Sequence, residues 1–201
     1  MSNHSGIIKL YEVFDDNDFV FIVFEYAEKG DLVQYFKVNP LLEEEQLKVF
    51  FKKIVLAVKY LHEQNIIHRD IKLDNILLDK NMNPKICDFG ISSEYNVNKP
   101  ILDTGGTPAY LAPEVIKAKG EVCPKSDVWS LGVLLYLLGF GNVPFKAKDM
   151  QSLYAKILVG KFEFPKGEYL SREFIDLIQK MIVVNIKKRF DIDDILNHPW
   201  L

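Results

Sequence analysis

The sequence predicts an α+β fold in which a short β-hairpin precedes a mainly helical body. Two runs rich in β-branched and aromatic residues, 7–14 and 19–24, flank the polar turn at 15–18, as expected of a hairpin. Between Glu43 and Gln64 the period changes, and apolar residues recur every three or four positions, which places them on one face of a long helix. That face consists of Leu47, Phe50, Phe51, Ile54, Val58 and Leu61.

Capping and strand signals predict the other elements in order along the chain. Asp31 follows Gly30 and is placed to cap a short helix that begins near Leu32. The acidic residues at 43–45 suit the positive end of the dipole of the long helix. Beyond it we expect two short strands, at 76–78 and 84–87, and then helices at 129–138, 153–158 and 174–182.

The composition is that of one globular domain, with 201 residues of which 48% are hydrophobic and 26% charged. A net charge of −3 gives no support to nucleic-acid binding. The longest apolar run, 131–141, is shorter than the roughly 18 residues that suggest a membrane span. No secretory signal is visible, and Cys87 and Cys123 are expected to be reduced thiols, which favours the cytoplasm or the nucleus.

One polar stretch, IHRDIKLDN at residues 67–75, carries the groups that phosphoryl transfer requires. That reaction needs an acceptor for the hydroxyl proton and an anchor for a magnesium ion, held rigidly together. The stretch resembles the catalytic loop of protein kinases, in which an Asp is followed five residues later by an Asn. The resemblance implies that Asp70 orients and deprotonates a substrate hydroxyl and that Asn75 holds magnesium. Taken alone, the same motif also fits a polar loop between a helix and a strand.

Further motifs follow in the order that protein kinases show. Asp88-Phe89-Gly90 begins 18 residues beyond Asp70 and resembles the kinase triplet whose Asp is the main magnesium ligand. Residues 106–114 are similar to the end of the activation segment, 127–132 to the start of the buried central helix, and 188–190 with 198–200 to the C-terminal boundary. The resemblance implies a protein-kinase-like fold, with residues 1–26 as a remnant of the small lobe and hinge, and 27–201 as the large lobe.

Two positions mark the serine/threonine type of the family. Lys72 lies two residues after Asp70, where the resemblance implies an ammonium that offsets charge on the transferred phosphoryl group. Thr107 matches the threonine that hydrogen-bonds near the catalytic Asp. Segments 7–12, 141–145 and 198–200 resemble the calcium/calmodulin-dependent and AMP-activated branch, which implies calmodulin or another calcium-sensing module as a partner outside this chain.

The resemblance also implies a site for ATP and Mg²⁺. Glu25 and Ala27 would offer backbone hydrogen bonds to adenine, and Asp31 would reach the ribose. Leu77 would lie beneath the adenine ring, although packing alone also favours an apolar residue there. Asp88 and Asn75 would together bind the magnesium ion.

Several other positions match residues that support or regulate kinases. Glu114 and Arg189 resemble the buried pair that ties the activation segment to the C-terminal helices. Arg69 precedes the catalytic Asp, which in the family signals control by phosphorylation of the activation segment. The usual phosphorylated threonine is replaced by Asp103, so we expect Asp103 to substitute in part for a phosphate. The candidates for phosphorylation are Thr104 first, and then Ser92 or Ser93.

Two residues leave alternatives open. Cys87 is expected to be a small buried residue, and the alternative is a thiol that reacts with covalent inhibitors of the ATP site. Asp74, together with Asp31, lies where related kinases hold a basic side chain of the substrate. A preference for Arg or Lys upstream of the target residue is therefore expected.

The sequence departs from the family in one respect. No glycine-rich phosphate loop, strand lysine or partner glutamate is found in the 201 residues, and we expect these elements upstream in a complete domain. Because positioning of the phosphates dominates kinase catalysis, this polypeptide is expected to have little or no activity by itself. The alternative is a kinase-fold scaffold or regulatory binding module without chemistry.

Overall fold

A computed structural model describes residues 4–39, 42–117, 121–165, 167 and 170–201. The predicted hairpin is confirmed as two antiparallel strands, β1 (Leu10–Asp15) and β2 (Val20–Phe24), with Asp15 paired to Val20 at the turn. Every side chain of β2, and every one of β1 except that of Leu10, is exposed. The hairpin therefore presents apolar side chains to solvent.

The predicted start of the first strand is wrong. Ile7 and Ile8 are buried, but they do not belong to the hairpin: Ile7 forms a parallel bridge with Ile86 of a later strand. The backbone N–H of Ile8 donates to the carbonyl of Ile86 at 2.9 Å. A continuous apolar run indicates extended backbone, but it does not indicate where the chain changes from one strand partner to another.

The helical body begins with two helices that match the sequence prediction. Helix α1 (Leu32–Val38) is capped by Asp31, whose carboxylate accepts from the backbone N–H of Gln34 at 2.8 Å. Helix α2 (Glu44–Glu63) buries the predicted apolar face, except that Phe50 is only half-buried. The remaining helices are α3 (Pro113–Ile116), α4 (Pro124–Phe140), α5 (Met150–Val159), α6 (Arg172–Met181) and α7 (Ile192–Leu196).

Helix α4 lies at the centre of the body. It is apolar on all sides, and 14 of its 17 residues are buried, as expected of a helix enclosed by others. It packs against α2 and α6. Gly132 permits the close approach to α6, because a Cβ atom there would lie 2.9 Å from the Cβ of Met181. The helix ends at Gly141, which adopts the left-handed conformation with φ of 67°.

Short strands and 3₁₀ turns between α2 and α4 position the polar motifs. Strand β3 (Ile66–Ile67) pairs with β6 (Ser93–Glu94), and β4 (Ile76–Leu78) pairs with β5 (Pro84–Ile86), both antiparallel. Two 3₁₀ turns, Leu73–Asn75 and Pro108–Tyr110, lie within the motifs at 67–75 and 106–114. The loop between β3 and β4 and the loop after β5 therefore lie side by side.

Candidate active site

The carboxylate of Asp70 lies at the centre of a hydrogen-bond cluster in the loop between β3 and β4. Lys72 Nζ donates to Asp70 Oδ2 at 2.7 Å and to Thr107 Oγ1 at 2.8 Å. Thr107 donates to Asp70 Oδ1 from its hydroxyl at 2.7 Å and from its backbone N–H at 3.1 Å. Asn75 Nδ2 donates to Asp70 Oδ2 at 3.0 Å. The structure thus brings together the four residues predicted to be catalytic, whose chemical roles stay predictions.

These donors keep Asp70 ionised. The side chain is largely buried and burial opposes ionisation, but the hydrogen bonds from Lys72 and Thr107 outweigh that effect and lower the pKa of Asp70 below its ordinary value. A carboxylate offers about four lone-pair sites, and four donors occupy them here. A substrate hydroxyl can therefore reach Asp70 only by replacing one of these donors.

Asn75 and Asp88, the predicted magnesium ligands, lie on adjacent loops that a backbone hydrogen bond joins. The N–H of Cys87 donates to the carbonyl of Asn75 at 3.0 Å. Both hydrogen bonds of the Asn75 side chain use Nδ2, which leaves its amide oxygen available as a ligand. Asp88 is exposed and has a positive φ of 61°, an uncommon conformation for a residue other than glycine.

The donor set of these two residues fits magnesium better than a metal that prefers nitrogen or sulfur ligands. Magnesium is usually held by one or two carboxylates together with substrate phosphates, so a carboxylate and an amide oxygen suffice on the protein side. Among the residues that the structure describes, no group of three or more His, Cys, Asp and Glu side chains forms a metal site. The Asp88 carboxylate and the Asn75 amide oxygen therefore fit a hard cation such as Mg²⁺.

A cleft of about 760 Å³ separates the hairpin from the helical body. Its volume is in the range of about 300–1,000 Å³ that is typical of small-molecule sites, and its lining is mainly apolar. Three predicted nucleotide-binding residues, Glu25, Leu77 and Asp88, line it. Ala27 and Asp31 are not among its lining residues, although Asp31 forms an antiparallel bridge with Leu77 at the wall of the cleft.

A sequence profile described as the protein kinase domain matches residues 1–201. The chain belongs to the protein kinase family. It is 42% identical over 199 residues to the human protein named NUAK family SNF1-like kinase 1, an alignment that covers 99% of this chain and 30% of the human protein.

Two further relatives place the kinase within the family. The mouse serine/threonine-protein kinase SIK1 is 40% identical to this chain over 199 residues. The alignment covers 99% of this chain and 25% of the mouse protein. The maternal embryonic leucine zipper kinase of Xenopus laevis is 39% identical over 201 residues. That alignment covers 99% of this chain and 31% of the Xenopus protein. These relatives confirm the predicted serine/threonine type and the calcium/calmodulin-dependent and AMP-activated branch. The chain spans less than a third of the length of each.

Glu25, which the resemblance assigns to the hinge, forms an ion pair that sequence reasoning missed. Lys85 of β5 is buried, and its Nζ lies 2.7 Å from Glu25 Oε1 and 3.0 Å from the carbonyl of Ser5. The backbone N–H of Glu25 donates to the carbonyl of Lys9 at 2.8 Å, so a nucleotide can use only the carbonyl of Glu25. A lone lysine in a short strand carries no sequence signal for such a role.

A buried carboxylate beneath the catalytic loop was also missed. Asp127 of α4 accepts from the backbone N–H groups of His68 at 3.0 Å and Arg69 at 2.9 Å, and from His62 Nε2 at 2.9 Å. Burial opposes ionisation of Asp127, but the hydrogen bond and charge of His62 prevail and lower its pKa. Asp127 thereby fixes the two residues that precede Asp70. The family motif that begins at Asp127 was the signal that could have found it.

We expect Asp127→Asn to lower the free energy of unfolding at pH 7 by about 1.5–3 kcal/mol, the cost of a lost hydrogen bond to a charged group. Because the pKa of Asp127 is lowered in the folded chain, its stabilisation is present above the unfolded pKa of about 3.9 and is lost as the pH falls through the folded pKa. The difference between the variant and the original chain should therefore shrink below about pH 4.

Urea unfolding followed by circular dichroism at pH 7 and pH 3 would measure this difference. Asp18→Asn is a matched control, because Asp18 is an exposed residue of the hairpin turn. A cost for Asp127→Asn that is equal at both pH values would contradict the assignment of Asp127 as an ionised acceptor.

The predicted Glu114–Arg189 pair is confirmed. Arg189 Nη1 and Nη2 donate to the two carboxylate oxygens of Glu114 at 2.7 and 2.8 Å, and both side chains are buried. Arg189 also lies over the ring of Trp129, 5.1 Å from its centroid. The pair joins α3, at the end of the activation segment, to the loop before α7.

Cys87 lines the cleft between the hairpin and the helical body but is a weak nucleophile. Burial, followed by the negative charges of Asp88 and Asp31, raises its pKa to about 11. Since the thiolate is the reactive form, very little of it exists at neutral pH. Cys87 is half-buried and not fully buried as expected, and its raised pKa favours the unreactive thiol over the reactive alternative.

Proposed function

We propose that this chain supplies the catalytic and substrate-binding lobe of a kinase that transfers the γ-phosphoryl group of ATP to serine and threonine hydroxyls. The observation that carries the proposal is that the Asp70 carboxylate accepts hydrogen bonds at all of its acceptor positions. The donors are Lys72, Asn75 and Thr107. A merely structural carboxylate in a loop would not need an ammonium, an amide and a hydroxyl that converge on it in the arrangement that phosphoryl transfer requires.

Lys72 is the donor that a substrate hydroxyl would replace. Its ammonium sits on a flexible stem, whereas Asn75 is additionally fixed by a 2.9 Å bond to the carbonyl of Asp70, and Thr107 is fixed by its backbone. When Lys72 turns toward the transferred phosphoryl group, Oδ2 of Asp70 becomes free to accept the proton of the substrate hydroxyl. Thr107 would keep the carboxylate in its orientation throughout.

The nucleotide would enter the cleft between the hairpin and the helical body. Leu77 would support the adenine, the backbone carbonyl of Glu25 and the backbone of Ala27 would bind its edge, and Asp31 would reach the ribose. Asn75 Oδ1 and the carboxylate of Asp88 would hold magnesium. Bound magnesium neutralises charge on the phosphates.

The experiment compares the 201-residue chain with a version extended upstream by a glycine-rich loop and a strand lysine. We expect magnesium-dependent phosphorylation of serine or threonine peptides by the extended version, and little or none by the shorter chain. A second candidate, a kinase-fold scaffold, is favoured by the exposed apolar hairpin, which offers a surface to a partner protein. If both versions fold and neither is active, the scaffold function replaces the kinase.

We further propose that the substrates carry Arg or Lys upstream of the target residue. Asp74 is exposed beside the catalytic loop, and Asp31 marks the start of α1 next to Leu77. In a positional peptide library, Asp74→Asn is expected to reduce the preference for basic residues by a few-fold. The effect is small because an exposed ion pair contributes only about 0.2–1 kcal/mol of interaction free energy. The library is phosphorylated by the version extended upstream, and a profile without basic preference when Asp74 is retained would remove this proposal.

Two expectations from the sequence remain as proposals. A reducing compartment, the cytoplasm or the nucleus, suits Cys87 and Cys123, which are both free thiols. No helix of the described residues is long and apolar enough to cross a bilayer. The second proposal is calmodulin as a partner. Calcium-dependent capture of the protein on purified calmodulin would test it.

A further inference from the structure

A hollow of about 500 Å³ lies between helix α5 and the segments that precede and follow it, 144–146 and 161–163. It shares no lining residue with the cleft beside the hairpin. Part of its lining is apolar: Phe145 is buried, Phe162 is half-buried, and Val159, the last residue of α5, is 63% exposed. The hollow therefore presents an apolar surface that the described part of the chain leaves open.

The aromatic residues of the hollow belong to a packed cluster. Phe145 stacks on Trp129 of α4 with ring centroids 5.8 Å apart, and Phe162 meets Phe145 edge-on, also at 5.8 Å. Lys156 Nζ donates to the carbonyl of Lys146 at 2.6 Å, which joins α5 to the segment before it. Because these contacts already hold the lining in place, binding of a ligand would cost little free energy for ordering the hollow.

Three lysines surround the apolar lining. Lys146, Lys156 and Lys161 are exposed, and among the described residues no carboxylate forms an ion pair with any of them. The hydrogen bonds that Lys146 and Lys156 donate go to uncharged oxygens. The exposed Glu163 is the opposing charge in the lining. The hollow thus carries a local excess of positive charge on a chain whose net charge is −3.

This combination selects the chemistry of the ligand. An apolar surface rimmed by unpaired lysines is complementary to an apolar side chain that is flanked by carboxylates. Burial of the apolar side chain supplies affinity, and the lysines discriminate against basic segments. A nucleic acid fits less well, because its phosphates would face the apolar lining and the net negative charge of the chain opposes its approach.

We propose that this hollow is a docking site for a segment of a partner protein in which one apolar side chain lies between Asp or Glu residues. The apolar side chain packs against Phe162 and Val159, and the flanking carboxylates pair with Lys146 and Lys161. The inference concerns binding, so it goes beyond the proposed phosphoryl transfer and does not depend on it.

Fluorescence anisotropy with fluorescein-labelled peptides tests the proposal on the 201-residue chain. Each probe carries one Leu, Phe or Met flanked on both sides by Glu. Matched probes replace either the apolar residue by Ser or the Glu residues by Gln. We expect saturable binding of the first set alone, and we expect it to weaken as the ionic strength rises, because salt screens exposed charges.

Two variants, each with a matched control, locate the binding. Lys161→Gln should weaken it about two- to five-fold, the effect of one exposed ion pair, whereas Lys80→Gln on the exposed β4–β5 turn should not. Val159→Asp places a like charge against the peptide and should weaken binding about ten-fold or more. Val38→Asp is its control, because Val38 is also the exposed last residue of a helix. Circular dichroism should show that all four variants remain folded.

Four results would overturn the proposal. Absence of saturable binding by every Glu-flanked probe would exclude this class of ligand. Equal binding of the Ser-substituted probes would show that the apolar lining is not used. Losses in Lys80→Gln and Val38→Asp as large as those in their counterparts would place the binding elsewhere. Displacement of the peptide by a single-stranded RNA, whose own binding is weakened by Lys161→Gln, would assign the surface to nucleic acid.

Discussion

Replacing Arg189 with Met is expected to lower the free energy of unfolding by about 3–5 kcal/mol, the usual cost of breaking a buried ion pair at one partner. Met fills a similar volume but leaves the Glu114 carboxylate buried, with Ser126 Oγ at 2.8 Å as its remaining donor. The carbonyls of Val183 and Lys125, which accept from Arg189, also lose their donor. Urea unfolding followed by circular dichroism would measure the change.

Two further variants separate the charge from the packing. Lys188→Met removes the charge of an exposed neighbour and should change stability little. The double variant Glu114→Met with Arg189→Met should be more stable than Arg189→Met alone, because no uncompensated buried charge remains. A double variant that is less stable than either single one would contradict the ion-pair account and indicate that the two side chains act mainly through shape.

The parts of this fold that the sequence predicted are those where one local signal decides the outcome. Helix α2 follows from the spacing of its apolar face, and α1 from Asp31 at its N-cap. The four residues of the candidate catalytic cluster, drawn from two distant segments, were found only because motifs with a known order link Asp70 to Thr107. Composition and periodicity alone would have left both segments as polar loops.

What escaped prediction depends on partners distant in the chain. Lys85 and Glu25 are 60 positions apart, and nothing in either local pattern predicts that a buried lysine of β5 holds the hinge. The sequence predicted that Asp127 lies at the start of a buried helix, but it did not predict which groups Asp127 hydrogen-bonds. Its function is to accept from backbone N–H groups of the catalytic loop, and backbone donors leave no trace in the sequence.

The hairpin and the buried cluster around Asp70 differ in their exposure to solvent. Asp70, its donors and Asp127 all lie among the described residues: the donors bind the Asp70 carboxylate, and Asp127 binds the backbone of the two residues before Asp70. The hairpin instead exposes apolar side chains, among them Phe19 at 67% and Val20 at 69%. Such an edge is prone to pair with other chains, so assays of the 201-residue chain should be run at low concentration.

In the version extended upstream, Asp70→Asn is expected to lower kcat by about 10²–10⁴-fold, the usual contribution of a positioned general base. Asn can still accept from Thr107, but its amide nitrogen would face the donors Lys72 and Asn75 and cannot take up a proton. The KM for ATP should change little, because under the proposed function Asp70 would contact the substrate hydroxyl and not the nucleotide. Steady-state peptide phosphorylation would measure both quantities.

Asp18→Asn serves as the control, since it makes the same chemical change at an exposed turn far from the catalytic loop in the sequence. Circular dichroism should show that both variants remain folded. A folded Asp70→Asn variant that keeps more than about a tenth of the original kcat would contradict the assignment of Asp70 as the base. In that case, stabilisation of the transferred phosphoryl group by positive charge would have to contribute more to kcat than proton transfer does. Lys72 would then be the next residue to replace, because its ammonium donates to both Asp70 and Thr107.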